Sequence, residues 1–273
     1  MDNAVLADGA RNQHVAPRTA REDRLRIRAG YSGNTSGMAP GYGQGNLVVL
    51  PRDWADDFKR YCRANTTPCP LIGMTEPGSS LVPMLGDDID LRTDLPRYRV
   101  WKVGVLEREV TDISNLWQDD FVGFVIGCSL SFEFALQQAG LAVRHVDEEK
   151  VVPMYRTSLM TQPVGAFSGP MIVSMRPYSP EQAAIATEIC AKLPGAHGAP
   201  VHIGDPSAIG IADVNTPDEG EPTVIEAGEV PVFWGCGVTP QAAVMSARPP
   251  ICITHAPGYM LLCDQLTEDL RLI

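Results

Sequence analysis

Gly127-Cys128-Ser129 follows the apolar run F-V-I and directly precedes L-S-F-E, so a thiol, a hydroxyl and a tight backbone meet where a strand ends and a helix begins. A helix start carries unpaired amide N–H groups and partial positive charge, which suit a carboxylate or an oxyanion. The same field favours a thiolate, and Cys128 therefore reads as a candidate nucleophile, against the plainer reading of a small residue at a tight turn. Glu133 lies one position past the N3 place of a capping box begun by Ser129. It reads either as a proton-transfer group or as a first-turn acid favoured by the dipole. Ser129 and Ser131 add hydroxyl donors at the same mouth.

A second set of candidates lies in A-H-G-A-P-V-H-I-G-D-P, where His202 could work as acid or base beside Asp205. His197, His202 and Asp205 do not have an established zinc spacing, so no metal is expected. Arg28, Arg92 and Arg176 each stand beside a break in regular structure, and a guanidinium is the natural clamp for a carboxylate. Arg92 is flanked by Asp88, Asp90 and Asp94, which also makes it a loop staple. Asn46, Tyr155 and His255 complete the candidate substrate-binding set, with Gly127 as a backbone contact.

The elements that must position these groups alternate between strand and helix. Strands are expected at 46–50, 70–74, 98–106 and 124–127, then 143–146, 152–157, 171–175 and 230–234. Helices are expected at 19–29, 53–65 and from 130 to a stop at Gly140, with further starts at Ser179-Pro180-Glu181-Gln182 and Thr239-Pro240-Gln241. The alternation predicts an α/β fold with a mixed, mainly parallel sheet and flanking helices, plus a smaller inserted α+β subdomain. The expected division is 18–141 with 228–273 as the main unit, 142–227 as the insertion and 1–17 as a mobile arm. Six glycines between 30 and 45 match neither a Walker A loop nor a dinucleotide fingerprint, and no internal repeat stands out.

Composition narrows the function classes. The chain has 273 residues, 44% hydrophobic and 20% charged, with net charge -11, which disfavours nucleic-acid and anionic-membrane partners. No run is long enough for a membrane span, and no signal peptide is evident. Seven cysteines with no C-x-x-C pair read as reduced thiols in a cytoplasmic protein. The expected partner is a small carboxylate substrate, with a homo-oligomer left open.

Eight blocks, R-I-R-A-G-Y-S-G-N-T-S-G-M-A-P-G-Y-G-Q-G-N-L, D-I-D-L-R-T-D-L-P-R-Y, G-C-S-L-S-F-E, M-Y-R-T, S-M-R-P, H-G-A-P-V-H-I-G-D-P, F-W-G-C-G-V-T-P-Q and I-T-H-A-P-G, occur in this order over about residues 24–262. Together they resemble the D-glutamate cyclase family, whose bacterial members include hydro-lyases. Leu130 and Gly235 depart from the Phe and Ala expected there, which bears on substrate size more than on reaction type. The resemblance implies a cytoplasmic two-part α/β enzyme without a cofactor that reversibly converts D-glutamate to 5-oxo-D-proline with loss of water. In that reading the amides of 127–129 hold the oxyanion, Arg28 and Arg176 bind carboxylate, and Glu133 and His202 move protons. Dehydration of another small hydroxy or amino acid, and non-catalytic binding of a small acid, remain the alternatives.

Overall fold

The computed structural model describes residues 18–273, and the arm expected over 1–17 lies outside the described residues. Helix α1 (Ala20–Arg28) starts where Thr19 and Glu22 cap each other reciprocally, and it carries Glu22 and Asp23 in its first turn and Arg26 and Arg28 in its last. That charge order suits the helix dipole. Strand β1 (Tyr42–Pro51) is buried over nearly its whole length, and α2 (Arg52–Ala64) follows at once with Phe58, Tyr61 and Cys62 turned inward. Then come β2 (Leu71–Met74), β3 (Tyr98–Lys102), β4 (Val105–Val110) and β5 (Phe121–Gly127). The single strand expected over 98–106 is a hairpin, because Val103 and Gly104 both take positive φ and reverse the chain.

Helix α3 (Leu130–Gln138) ends at Ala139 and Gly140, the latter left-handed at φ 78°. Residues 143–146, expected as a strand, instead enter a short helical turn, α4 (Arg144–Asp147). Val143 and His145 are both buried there, so the spacing that looked like strand alternation serves one turn of helix. The remaining elements are β6 (Met154–Met160), β7 (Pro170–Tyr178), α5 (Pro180–Ala191), β8 (His202–Ile203), β9 (Val230–Gly235), α6 (Val238–Ala247), β10 (Cys252–His255) and β11 (Leu261–Leu266).

Two sheets result. One has the order β2-β5-β1-β10-β3-β4 with β11 also on β1, and the other has the order β6-β7-β9-β8. The α/β class holds, but the expected mainly parallel sheet does not, since every strand pair among the described residues is antiparallel. The reason is insertion. Strands β1 and β2, joined through α2, run the same way, yet β5 lies between them and opposes both. Strand β9, placed with the main unit by the sequence, pairs with β7 in the second sheet.

The helices after β5 and β9 cross between the sheets. Helix α3 leaves the first sheet and packs Phe132 and Leu136 with Tyr178, Trp234 and Ala186 of the second sheet and its helix. Helix α6 leaves the second sheet and packs Ala243 and Val244 with Val48, Phe58 and Cys252 of the first. Each exchange buries apolar side chains worth roughly 1.5–3 kcal/mol apiece, which fixes the two strand-to-helix turns against each other. No helix among the described residues is long and apolar enough to cross a membrane.

Candidate active site

The two crossing helices begin in matching sequences. Gly127-Cys128-Ser129-Leu130 links β5 to α3, and Gly235-Cys236-Gly237-Val238 links β9 to α6. Cys128 and Cys236 line one small cavity of about 30 Å³, together with Asn46, Ser129 and His255. That volume holds little more than a water between the loops that wall it. The loops in question are held by Thr35, whose N–H donates to Gly258 O at 2.8 Å and whose hydroxyl accepts the Met260 N–H at 2.9 Å.

The polar groups sit at a fork in the first sheet. Along one edge β1 pairs with β10 at Val48 and Val49 and with β11 from Gly45 back to Tyr42, so no strand covers Asn46 and Leu47 on that side. His255 fills the gap, and its Nδ1 accepts the Leu47 N–H at 3.2 Å. The Gln241 amide approaches the same nitrogen at 2.8 Å. The same amide nitrogen lies 3.3 Å from Nε2, so it is the Leu47 N–H on Nδ1 that assigns the ring proton to Nε2. Burial pulls the His255 pKa down to about 4, so the ring is neutral near pH 7.

Asn46 donates Nδ2 to Ile126 O at 3.2 Å and Gly127 O at 2.9 Å, so it offers the cavity its Oδ1 acceptor. Close approach explains two glycines. A Cβ on Gly127 would lie 1.7 Å from Gly195 O, and one on Gly237 would lie 1.9 Å from the Asn46 Nδ2. The Gly127 N–H donates to Pro70 O, whereas the Cys128 and Ser129 amides meet no protein acceptor among the described residues.

The thiols are protonated groups. Cys128 Sγ accepts the Leu130 N–H at 3.5 Å, yet burial outweighs that pull and pushes its pKa up. Cys236 is likewise pushed up by burial, to about 11, against the Val238 N–H. The helix-start field that the sequence invokes for a Cys128 thiolate is therefore overridden by desolvation.

Several candidates lie elsewhere. Glu133 is buried and bound by Arg176, with His145 Nε2 at 3.0 Å, and these two neighbours hold its carboxyl low although burial opposes it. Arg176, 1% exposed, reaches the site only through Ser129, whose Oγ accepts its Nη2 at 3.2 Å. Ser131 staples α3 to β1, accepting the Gln44 N–H at 2.7 Å. Arg28 is bidentate to Asp94 at 2.6 and 2.7 Å, and Arg92 is bound to Asp90. Tyr155 turns into the second sheet's core and donates to Val214 O at 2.6 Å. His202 bonds Asp205 O at 2.7 Å, while the Asp205 carboxylate caps Ser207, so that pair stands apart from the cavity. Of the expected residues, Asn46, Cys128, Ser129 and His255 line the cavity, and Gly127 shapes it. Cys236 was missed, although its Gly-Cys turn after a strand repeats the signal that singled out Cys128.

The fold and the cavity together define a mixed α/β protein with a paired-thiol pocket between two antiparallel sheets. The chain belongs to the D-glutamate cyclase family, whose sequence profile matches residues 122–264. It is 57% identical to a "Putative hydro-lyase" of Verminephrobacter eiseniae over 92% of both chains. A Bordetella petrii protein of the same description is 53% identical over 93% of this chain and 97% of its own. One from a Bradyrhizobium species is 49% identical over 99% of each.

Proposed function

We propose that the protein is a hydro-lyase that interconverts D-glutamate and 5-oxo-D-proline. The observation that carries this reading is the pair of protonated thiols in one cavity with a hydrogen-bond acceptor, a neutral imidazole and two amides without protein acceptors. Family membership and the hydro-lyase description of its relatives support it.

In ring closure the α-amine attacks the γ-carboxyl carbon, a C–N bond forms and negative charge gathers on oxygen. The Cys128 and Ser129 amides and the Nε2–H of His255 are donors for that charge. Asn46 Oδ1 orients the amine through the N–H that it keeps. The proton lost by the attacking nitrogen passes to the departing oxygen, and a thiol supplies the second proton so that water leaves. The thiolate is reprotonated by the proton that the α-ammonium gives up before attack. Holding amine and carboxyl of one molecule together supplies proximity without nucleotide hydrolysis. In reverse, water adds to the lactam carbonyl and the ring opens. The buried, reduced thiols suit a reducing compartment such as the cytoplasm.

The test is incubation of the purified chain with D- and L-glutamate, 5-oxoproline and a panel of hydroxy acids, followed by NMR. Ring closure or opening with one glutamate enantiomer is expected. Water loss from a hydroxy acid alone would replace this reading with a different dehydration.

A further inference from the structure

Beside the thiol cavity lies an open groove of about 580 Å³, and the two share Met154, Val238 and Pro257 in their walls. Arg156, Arg248, Asp218 and Glu219 border this groove. None of the four side chains has an oppositely charged partner within 4.0 Å among the described residues, whereas the neighbouring Arg99 is bound to Glu109. Arg52 and Arg271 likewise have no carboxylate partner among the described residues, but neither borders this groove, where Arg156 and Arg248 lie beside Asp218 and Glu219.

The backbone places these charges deliberately close to the cavity. Met154 and Arg156 are two apart on β6 and share a face, opposite the core-facing Tyr155. The Asp218 N–H donates to Met154 O at 2.9 Å, and the Met154 N–H donates to Glu219 O at 2.9 Å. Arg248 ends α6 in the left-handed region at φ 55°, on the helix whose first turn follows Cys236.

We propose that this groove is the subsite for the head group of an α-amino acid, with Arg156 and Arg248 taking its carboxylate and Asp218 and Glu219 its ammonium. Opposite charges that flank one groove without neutralising each other select a zwitterion over a simple anion. The side-chain carboxyl then passes Met154, Val238 and Pro257 toward the thiols, and the amine, once it has lost its proton to the acids, follows it to Asn46 for ring closure. This rests on the cavity being the reaction site. It adds that the open-chain ligand is recognised as an amino acid, and that the acids at the mouth stand where an ammonium must shed its proton before ring closure.

The experiment is calorimetric titration of the full chain and its variants with D-glutamate, 2-hydroxyglutarate and 5-oxo-D-proline, alongside the ring-closure assay. Arg156→Gln and Arg248→Gln should each weaken all three ligands about tenfold, the scale of a charge-assisted contact. Asp218→Asn and Glu219→Gln should weaken D-glutamate about fivefold to tenfold and leave the lactam, which has no ammonium, unchanged. All four positions are exposed, and matched thermal melts confirm folding. Equal effects of the acidic variants on glutamate and lactam, or unaltered binding in the arginine variants, overturn the proposal. If ring closure persists with unaltered KM in all four variants, the subsite fails while the reaction stands. The expected binding pattern without any turnover supports the subsite and overturns the reaction.

Discussion

Cys128 and Cys236 stand in equivalent turns of different sheets, each after a glycine at a strand end, with its Sγ facing the N–H of the residue two positions on. Both are raised in pKa by burial and stay protonated near pH 7, the state that the proposed proton-donor role requires and a nucleophile's role does not. Replacing either by Ala should lower kcat for ring closure and opening by about 100-fold, the usual contribution of one general acid. Mass spectrometry of the wild type during lactam opening should show no acyl-enzyme. An accumulated thioester on Cys128, or near-normal rates in both alanine variants, would remove the proton-donor assignment.

Glu133 and Arg176 form a buried pair behind the cavity wall, with the guanidinium lying over Phe132 at 4.8 Å and Trp234 at 5.5 Å. Removing one partner leaves an uncompensated charge out of water. Glu133→Ala should therefore cost about 3–5 kcal/mol in denaturant unfolding. Its kcat per folded molecule should fall far less than in the cysteine variants. A stable but inactive Glu133→Ala protein would return this carboxylate to the catalytic role read from the sequence.

Local signals were legible wherever one short segment decides the outcome. The Ser179-Pro180-Gln182 start of α5 forms its reciprocal cap, and Gly140 takes the left-handed stop after α3. Strand direction was not legible, because β1 takes its neighbours from residues 121–127, 252–255 and 261–266, and only long-range pairing sets that order. The same holds for charge. Nothing local says that Arg28 meets Asp94 or Arg176 meets Glu133, whereas Arg156 remains without a carboxylate. Strand parity could have directed attention from Tyr155 to Arg156, since adjacent residues on β6 face opposite ways.

The Gly237 and Asn46 contact gives a sharper test of the cavity than its polar residues do. An alanine at 237 would put its Cβ against the Asn46 amide, which is held by two carbonyls at the end of β5. Gly237→Ala should displace that amide and lower kcat at least tenfold, with a stability loss of about 1–3 kcal/mol from overpacking. Gly140→Ala, a control outside the cavity lining, should destabilise through its φ of 78° and leave kcat alone. If Gly237→Ala matches wild-type kcat, Asn46 does not orient the substrate.

Acid should loosen the fold through its buried histidines. Burial lowers the pKa of His197 and of His255 to about 4, against an ordinary value of 6.5, and His197 Nδ1 is tied to Thr67 O at 2.8 Å. Between those values the unfolded chain binds protons that the native protein refuses, so stability falls as pH drops from 6.5 toward 4. Each ring should cost about 2 kcal/mol between pH 6.5 and 5. Glu133, lowered by His145 and Arg176 against the effect of burial, adds its loss only at still lower pH. Denaturant unfolding of the wild type and of His197→Gln across this window measures the effect, and the variant should lose roughly half the pH slope. An unchanged slope would mean that His197 titrates alike in the folded and unfolded chain.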